Sequence, residues 1–272
     1  MVLSLVVLTL PLAAQGTSPL MGWLIGGLLN TMLLAIAWQL PKKLLTPAGY
    51  GHAWVLGVII WGCLGWRGYI VMMTYFLAGT AVTRLGKGRK EAAGIAEGRS
   101  GMRGPENVWG SALAAAICAG AIALLTATGS PTTQALWLPV LALAYVSSLS
   151  TKLSDTTASE VGKAYGQRTF LITSLKPVPA GTEGAVSLEG TLAGVVGSAV
   201  MALVGWAVGL ITPWGIAICL VAALVATTLE SLLGATLQTQ IEWLTNEVVN
   251  GVNTTLGALI GILLGLGVEH LN

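Results

Sequence analysis

The stretch "SDTTASEVGK", Ser154 to Lys163, holds the only aspartate of the 272-residue chain, together with a glutamate, four hydroxyls and a lysine. Carboxylates beside hydroxyls and an ammonium can hold a divalent cation and steer phosphate oxygens. Spacing constrains how. Asp155 and Glu160 lie five positions apart, which an unbroken helix turns about 140° from each other. Both reach one metal only if the helix breaks between them. Otherwise Lys152, Asp155 and Ser159 form one stripe, and Thr156, Glu160 and Lys163 the next.

Three further clusters carry the same chemistry. "GTEGAVSLEGTLAG", Gly181 to Gly194, sets Thr182, Glu183 and Glu189 among glycines. Glycine lets backbone approach phosphate closely, and a following helix N-terminus favours anions. The carboxylates repel phosphate unless a cation stands between, which points to magnesium-bridged phosphate. In "ESLLGATLQ" Glu230, Gly234 and Gln238 recur every four residues, and Glu242, Asn246, Asn250 and Asn253 continue a polar stripe with Glu247 beside it. Such stripes at membrane depth face a cavity or neighbouring helices rather than lipid. "GRSGMRGPENVWG" places Arg99, Arg103 and Asn107 around Pro105 and Glu106, where proline suits the first turn of a helix. Arginines beside that N-terminus would make a triphosphate-binding corner.

The elements that must position these groups are apolar helices. Hydrophobic residues make up 54% of the chain and charged ones 9%, against roughly 25% charged in soluble domains. Runs of about twenty apolar residues without strand-like alternation predict an all-α, polytopic transmembrane bundle of about 7–9 spans, some short or re-entrant. Spans are expected near 2–14, 20–40, 53–65, 67–84, 107–127, 132–151, 190–211, 213–230 and 249–268. The pair 53–84 is interrupted by "GCLGWRG" and reads as two short helices or a re-entrant pair. One membrane domain, 1–272, then carries polar inserts at about 85–106 and 152–189. The opening "MVLSLVVLTLPLAAQ" lacks a basic leader and reads as a short first span or an interfacial segment.

Six of thirteen basic residues crowd Arg84 to Arg103, and Lys42 and Lys43 close an earlier span, so both segments are expected on the cytoplasmic side. Two spans later the chain returns "SDTTASEVGK" to that side. Gly190, Gly194 and Gly197, and the strict series Gly257, Gly261, Gly265, read as helix-packing surfaces. The isolated Cys63, Cys118 and Cys219 read as packing residues, and no CxxC or HExxH zinc pattern occurs. The sequon at Asn253 falls within a predicted span and reads as accidental. Net charge of +2 implies no nucleic-acid partner. Walker, GxGxxG, GxSxG and protein-kinase motifs are absent, so any phosphate site is not a familiar soluble module.

Taken in order, "SDTTASEVGKAYG", "PVPAGTEGAVSLEGTLAG", "ESLLGATLQ" and "WLTNEVVN" resemble the DUF92/TMEM19 membrane family, most closely its cyanobacterial and plastid branch of phytyl-phosphate kinases. The resemblance runs from "LLTPAGYGHAW" to the last helix. It implies phosphoryl transfer from a nucleoside triphosphate, preferentially CTP, to phytyl monophosphate for tocopherol and phylloquinone synthesis, in the plasma or thylakoid membrane with the site facing the cytoplasm. Kinases of phytol or other isoprenoid alcohols, and an isoprenoid-phosphate transporter or flippase, remain the alternatives, and self-association stays open. On that reading Asp155, Glu160, Glu183 and Glu189 are expected to hold Mg²⁺, with Glu230 completing the acidic set. Arg99, Arg103 and Lys163 would bind phosphate. Asn107, Lys152, Ser159, Thr182, Gln238, Asn246, Asn250 and Asn253 would line the substrate and nucleotide cavity.

Overall fold

A computed structural model describes residues 19–96, 101–238 and 240–270. The opening apolar segment and Arg99 therefore lie outside the described residues. Five long helices open on a proline, and among their described caps three are hydroxyls. α2 (Pro47–Arg84) is capped by Thr46, whose Oγ1 accepts from Gly49 N at 3.1 Å. α5 (Pro131–Tyr165) is capped by Ser130 and α7 (Pro213–Thr236) by Thr212, while α4 (Pro105–Thr128) starts after Gly104. Proline lacks the N–H that a first turn leaves unbonded, and the hydroxyl satisfies another. The remaining helices are α1 (Pro19–Gln39), the short α3 (Lys87–Ala92), α6 (Leu188–Ala207) and α8 (Asn246–His270). A small antiparallel ribbon, β1 (Thr169–Leu171) with β2 (Ala185–Ser187), pairs Phe170 with Val186.

Seven of these helices are long and apolar enough to cross a membrane. α2 is doubled. Its 38 residues would span about 57 Å if straight. Yet Gly49 near its start and Gly79 near its end both pack against Arg103. The chain reverses at Gly65, whose φ of 60° and ψ of −155° suit glycine alone. Each limb is then about 27–29 Å long, close to the roughly 30 Å of a bilayer core. The interruption in "GCLGWRG" thus produces two crossings. Asn30 of α1 locks the limbs together, because it packs on Gly57 of the first and accepts from Tyr69 Oη of the second at 2.9 Å.

α5 is the central helix, with every residue from Val140 to Ser154 except Leu141 buried. Glycines bring its neighbours close. A Cβ on Gly190 would lie 2.6 Å from the Ala158 carbonyl, and one on Gly197 3.0 Å from the Leu153 carbonyl, so α6 lies backbone to backbone on α5. Gly257, Gly261 and Gly265 meet Thr151, Ser147 and Leu143 in the same way and seat α8. Both glycine series therefore serve packing, as their spacing suggests. Asn253 of the sequon is fully buried, and the three cysteines are unpaired, Cys118 and Cys219 within the core.

These contacts set direction. α1, the second limb of α2, α5 and α7 run toward one face of the bundle; the first limb, α4, α6 and α8 run away from it. That face gathers residues 40–46, 85–96, 101–104, 166–187, 237–238 and 240–245. Arg67, at the tip of the α2 hairpin beside Gly209 in the α6–α7 turn, is the sole described cation at the far face. α5 stays helical to Tyr165, so the polar insert expected from residue 152 begins at Gly166.

Candidate functional site

Three helix N-termini converge on the basic face. Asn107 and Ser111 of α4, Gly190 and Thr191 of α6, and Asn246, Glu247 and Asn250 of α8 line one cavity of ≈ 610 Å³, closed below by the polar end of α5. The partial positive charge of a helix start favours anions, and three of them aim at this space. On the membrane side Val195, Leu220 and Leu224 continue the wall.

The chemistry centres on Asp155. Lys152 Nζ donates to Asp155 Oδ2 at 2.6 Å and to Asn250 Oδ1 at 2.8 Å, tying α5 to α8. The side chain of Glu230, from α7, meets that of Asp155 within hydrogen-bonding contact. Two facing carboxylates in a buried site must share a proton or a cation. Thr182 and Glu183 line the cavity from the 179–184 turn above, as do Ser159 and Lys163 from α5. Arg103 lines it from the basic loop. Its Nη1 donates to Tyr75 Oη at 3.1 Å, and its guanidinium lies over Tyr75 and Phe76. The Arg103 backbone is itself stitched to the 44–46 segment, donating to Leu44 O and accepting from Thr46 N.

The expected sharing of one metal by Asp155 and Glu160 does not form. The helix is unbroken, so the two acids point apart. Glu160 is buried in an ion pair with Lys90 of α3, and Lys163 Nζ stands 4.0 Å from its other oxygen. Lys90 also donates to Thr83 O at 2.8 Å. This pair fastens the basic loop to α5. Glu189, in the first turn of α6, and Gln238, which donates to Asn246 Oδ1, lie outside the cavity lining. Asn253 is also outside it, buried about one turn below Asn250. Its amide atoms, with Ser150 Oγ and Thr151 Oγ1, lack a hydrogen-bond partner among the described residues. Asn107 serves its own helix first: Oδ1 accepts from Gly104 N at 2.9 Å and Nδ2 donates to Glu247 Oε1 at 3.2 Å.

Sequence reasoning left Tyr75 and Glu247 out of the site, and the pairing of Lys90 with Glu160 unforeseen. Tyr75 looks like any span aromatic, and nothing in its neighbours' types marks it. Glu247 had a signal, as an acid directly after Asn246 in the first turn of a helix that already carries the polar stripe.

Among the described residues no three acids, histidines or cysteines gather to form a complete metal cage. The acid pair Asp155 and Glu230 nevertheless fits Mg²⁺, which is usually held by one or two carboxylates with phosphate oxygens completing its shell. Among the described residues the cavity lining carries four carboxylates (Asp155, Glu183, Glu230, Glu247) and three cations (Arg103, Lys152, Lys163). With these groups alone a polyphosphate entering it needs an added cation.

Residues 30–258 match the family model described as "Integral membrane protein DUF92". The chain is 65% identical over 240 residues to the uncharacterized membrane protein sll0875 of Synechocystis sp., covering 88% of this chain and 90% of that protein. It is 41% identical over 237 residues to Protein VTE6, chloroplastic, of Arabidopsis thaliana, covering 86% of this chain and 69% of the relative. A membrane protein of Methanocaldococcus jannaschii, MJ0933, is 31% identical over 77% of this chain and 81% of its own length. No solved structure matches. The chain belongs to the DUF92 family of integral membrane proteins.

Proposed function

We propose that this family member transfers the terminal phosphoryl group of a nucleoside triphosphate, CTP by preference, to phytyl monophosphate, giving phytyl diphosphate for tocopherol and phylloquinone synthesis. One observation carries the reading. A single cavity joins the facing acids Asp155 and Glu230, the cations Lys152, Lys163 and Arg103, and an apolar wall inside the bundle. Such a space suits a polyphosphate, a cation and the head of an apolar phosphate ester together. The ordered motifs resembling phytyl-phosphate kinases support the choice of substrate, as does kinship with a chloroplastic protein.

In this reading a phosphate oxygen of the acceptor bonds to the γ-phosphorus while the bond from that phosphorus to the β–γ bridging oxygen breaks. The nucleoside diphosphate leaves. The acceptor is already anionic, so no general base is needed. The protein supplies position and charge: Lys152 holds Asp155 in place, while Lys163 and Arg103 stand where phosphate oxygens would lie. Asp155 and Glu230, with Glu183 above, would hold Mg²⁺. When bound, Mg²⁺ neutralises charge developing on the transferring group. The concentration of basic residues on the cavity face, with Arg67 opposite, supports a cytoplasmic orientation, where nucleotides are available.

The test is direct. Purified protein in nanodiscs is given phytyl phosphate, Mg²⁺ and each of CTP, ATP, GTP and UTP, and the diphosphates are quantified by mass spectrometry. Phytyl diphosphate with stoichiometric nucleoside diphosphate is expected, most strongly with CTP. Folded protein that yields none with any nucleotide sinks the kinase reading. Tight, nucleotide-independent binding of phytyl phosphate would then favour transport.

A further inference from the structure

The cavity wall is also an outer wall at one place. Thr191 and Val195 lie one turn apart on α6, and Leu224 and Thr228 one turn apart on α7. All four line the cavity and all four are exposed, Val195 by 41% and Leu224 by 48%. Set beside outward-facing neighbours on the same two helices, residues that do both mark a mouth. The surroundings of this mouth are apolar and outward-facing: Leu192 and Val196 on α6, Val221 and Val225 on α7. It therefore opens to lipid and not to water.

Its upper edge is sealed. Gly184, at φ 74°, lies so close to α7 that a Cβ there would stand 2.6 Å from the Ser231 carbonyl, which pins the 181–187 segment across the top. The lower end is closed by the α6–α7 turn at residues 208–212. Along α7, Leu220 lies about 15 Å below Glu230, so the slot descends from the acid pair into the hydrocarbon region.

We propose that this slot is a lateral portal. The single hydrocarbon chain of a membrane-dissolved phosphate monoester occupies it, while the phosphate head reaches Lys152, Asp155 and Glu230 without leaving the bilayer plane. Continuity with the cation-bearing cavity identifies the occupant as a tail whose head is anionic. Val195 and Leu224 are then specificity-determining residues that set which tails pass. The inference rests on the proposed reaction for its substrate, but its geometry stands without the nucleotide.

Two measurements test it. First, wild-type protein without nucleotide is irradiated with a long-chain alkyl phosphate bearing a diazirine in its tail. Labelling is expected within 191–196 and 221–228, suppressed by phytyl phosphate and not by the two-chain lipid phosphatidic acid. Labelling confined to other segments, or equal competition by phosphatidic acid, overturns the portal. Second, Val195→Trp and Leu224→Trp are assayed with phytyl phosphate and with the short, soluble dimethylallyl phosphate. Turnover of the long chain should fall at least tenfold and that of the short one less than twofold; equal loss of both overturns the assignment. If wild type labels in the slot yet turns over neither substrate, the portal stands and the kinase reading falls.

Discussion

Asp155 and Glu160 occupy one helix, five residues apart, and each meets a lysine. Their surroundings differ completely. Asp155 faces a cavity, with Glu230 and Asn250 arriving from two other helices. Glu160 faces α3, is 1% exposed, and is closed over by Lys90. The cause is rotation: five steps along an unbroken helix carry the second acid onto another face. A pair of acids in sequence is therefore not a pair in space, and one lines the cavity while the other fastens the basic loop.

This contrast can be broken, starting with the largest effect. Asp155→Asn is expected to lower phosphoryl transfer at least a thousandfold, about 4 kcal/mol of transition-state stabilisation. Its melting temperature in detergent should fall less than that of Lys90→Ala, because Lys152 keeps Asn250 as an acceptor. An unimpaired rate would remove the aspartate from the site. Lys90→Ala takes from the buried Glu160 carboxylate its closest described cation, and should cost about 3 kcal/mol of stability, read as a depressed melting temperature. Replacing both partners, Lys90→Met with Glu160→Leu, should recover most of that loss while activity persists. If Glu160→Gln instead behaves like Asp155→Asn, with rate lost and stability largely kept, the division of roles is wrong.

Smaller changes sharpen the picture on the cavity side. Glu230→Gln keeps the side chain's shape but removes one of the three candidate carboxylates for the cation. We expect turnover to fall about ten- to a hundredfold, with higher Mg²⁺ restoring part of it. No change in Mg²⁺ dependence would separate Glu230 from the cation. Asn107→Ala removes the bonds to Gly104 N and Glu247, and should shift stability by only about 1 kcal/mol in thermal unfolding. A loss of activity without loss of stability would move Asn107 from helix cap to substrate contact.

Much of this architecture was readable in advance. Apolar runs between caps and prolines located the helices, and the interruption at "GCLGWRG" foretold the reversal of α2. The described basic residues of those segments, Lys42, Lys43, Arg84, Lys87, Arg89, Lys90 and Arg103, do share a face. Individual roles were harder to read. Residue type marks a group as able to bind a metal or phosphate, but its partner is set by packing. Glu230 stands 75 residues from Asp155, and Lys90 stands 70 from Glu160. No local period links them. Glycine stripes were legible because their consequence, close approach, follows from size alone. Which helix approaches did not follow, and it is this choice of neighbour that placed Asp155 at the cavity.

The hairpin of α2 has a further consequence, one of parity. Counting its two limbs, eight apolar segments cross between Pro19 and His270. An even number brings a chain back to the face where it began. Both the start of α1 and the end of α8 thus lie across the bilayer from the cavity. Whichever compartment supplies the nucleotide, a fluorescent or enzymatic reporter fused after α8 should light up in the other one.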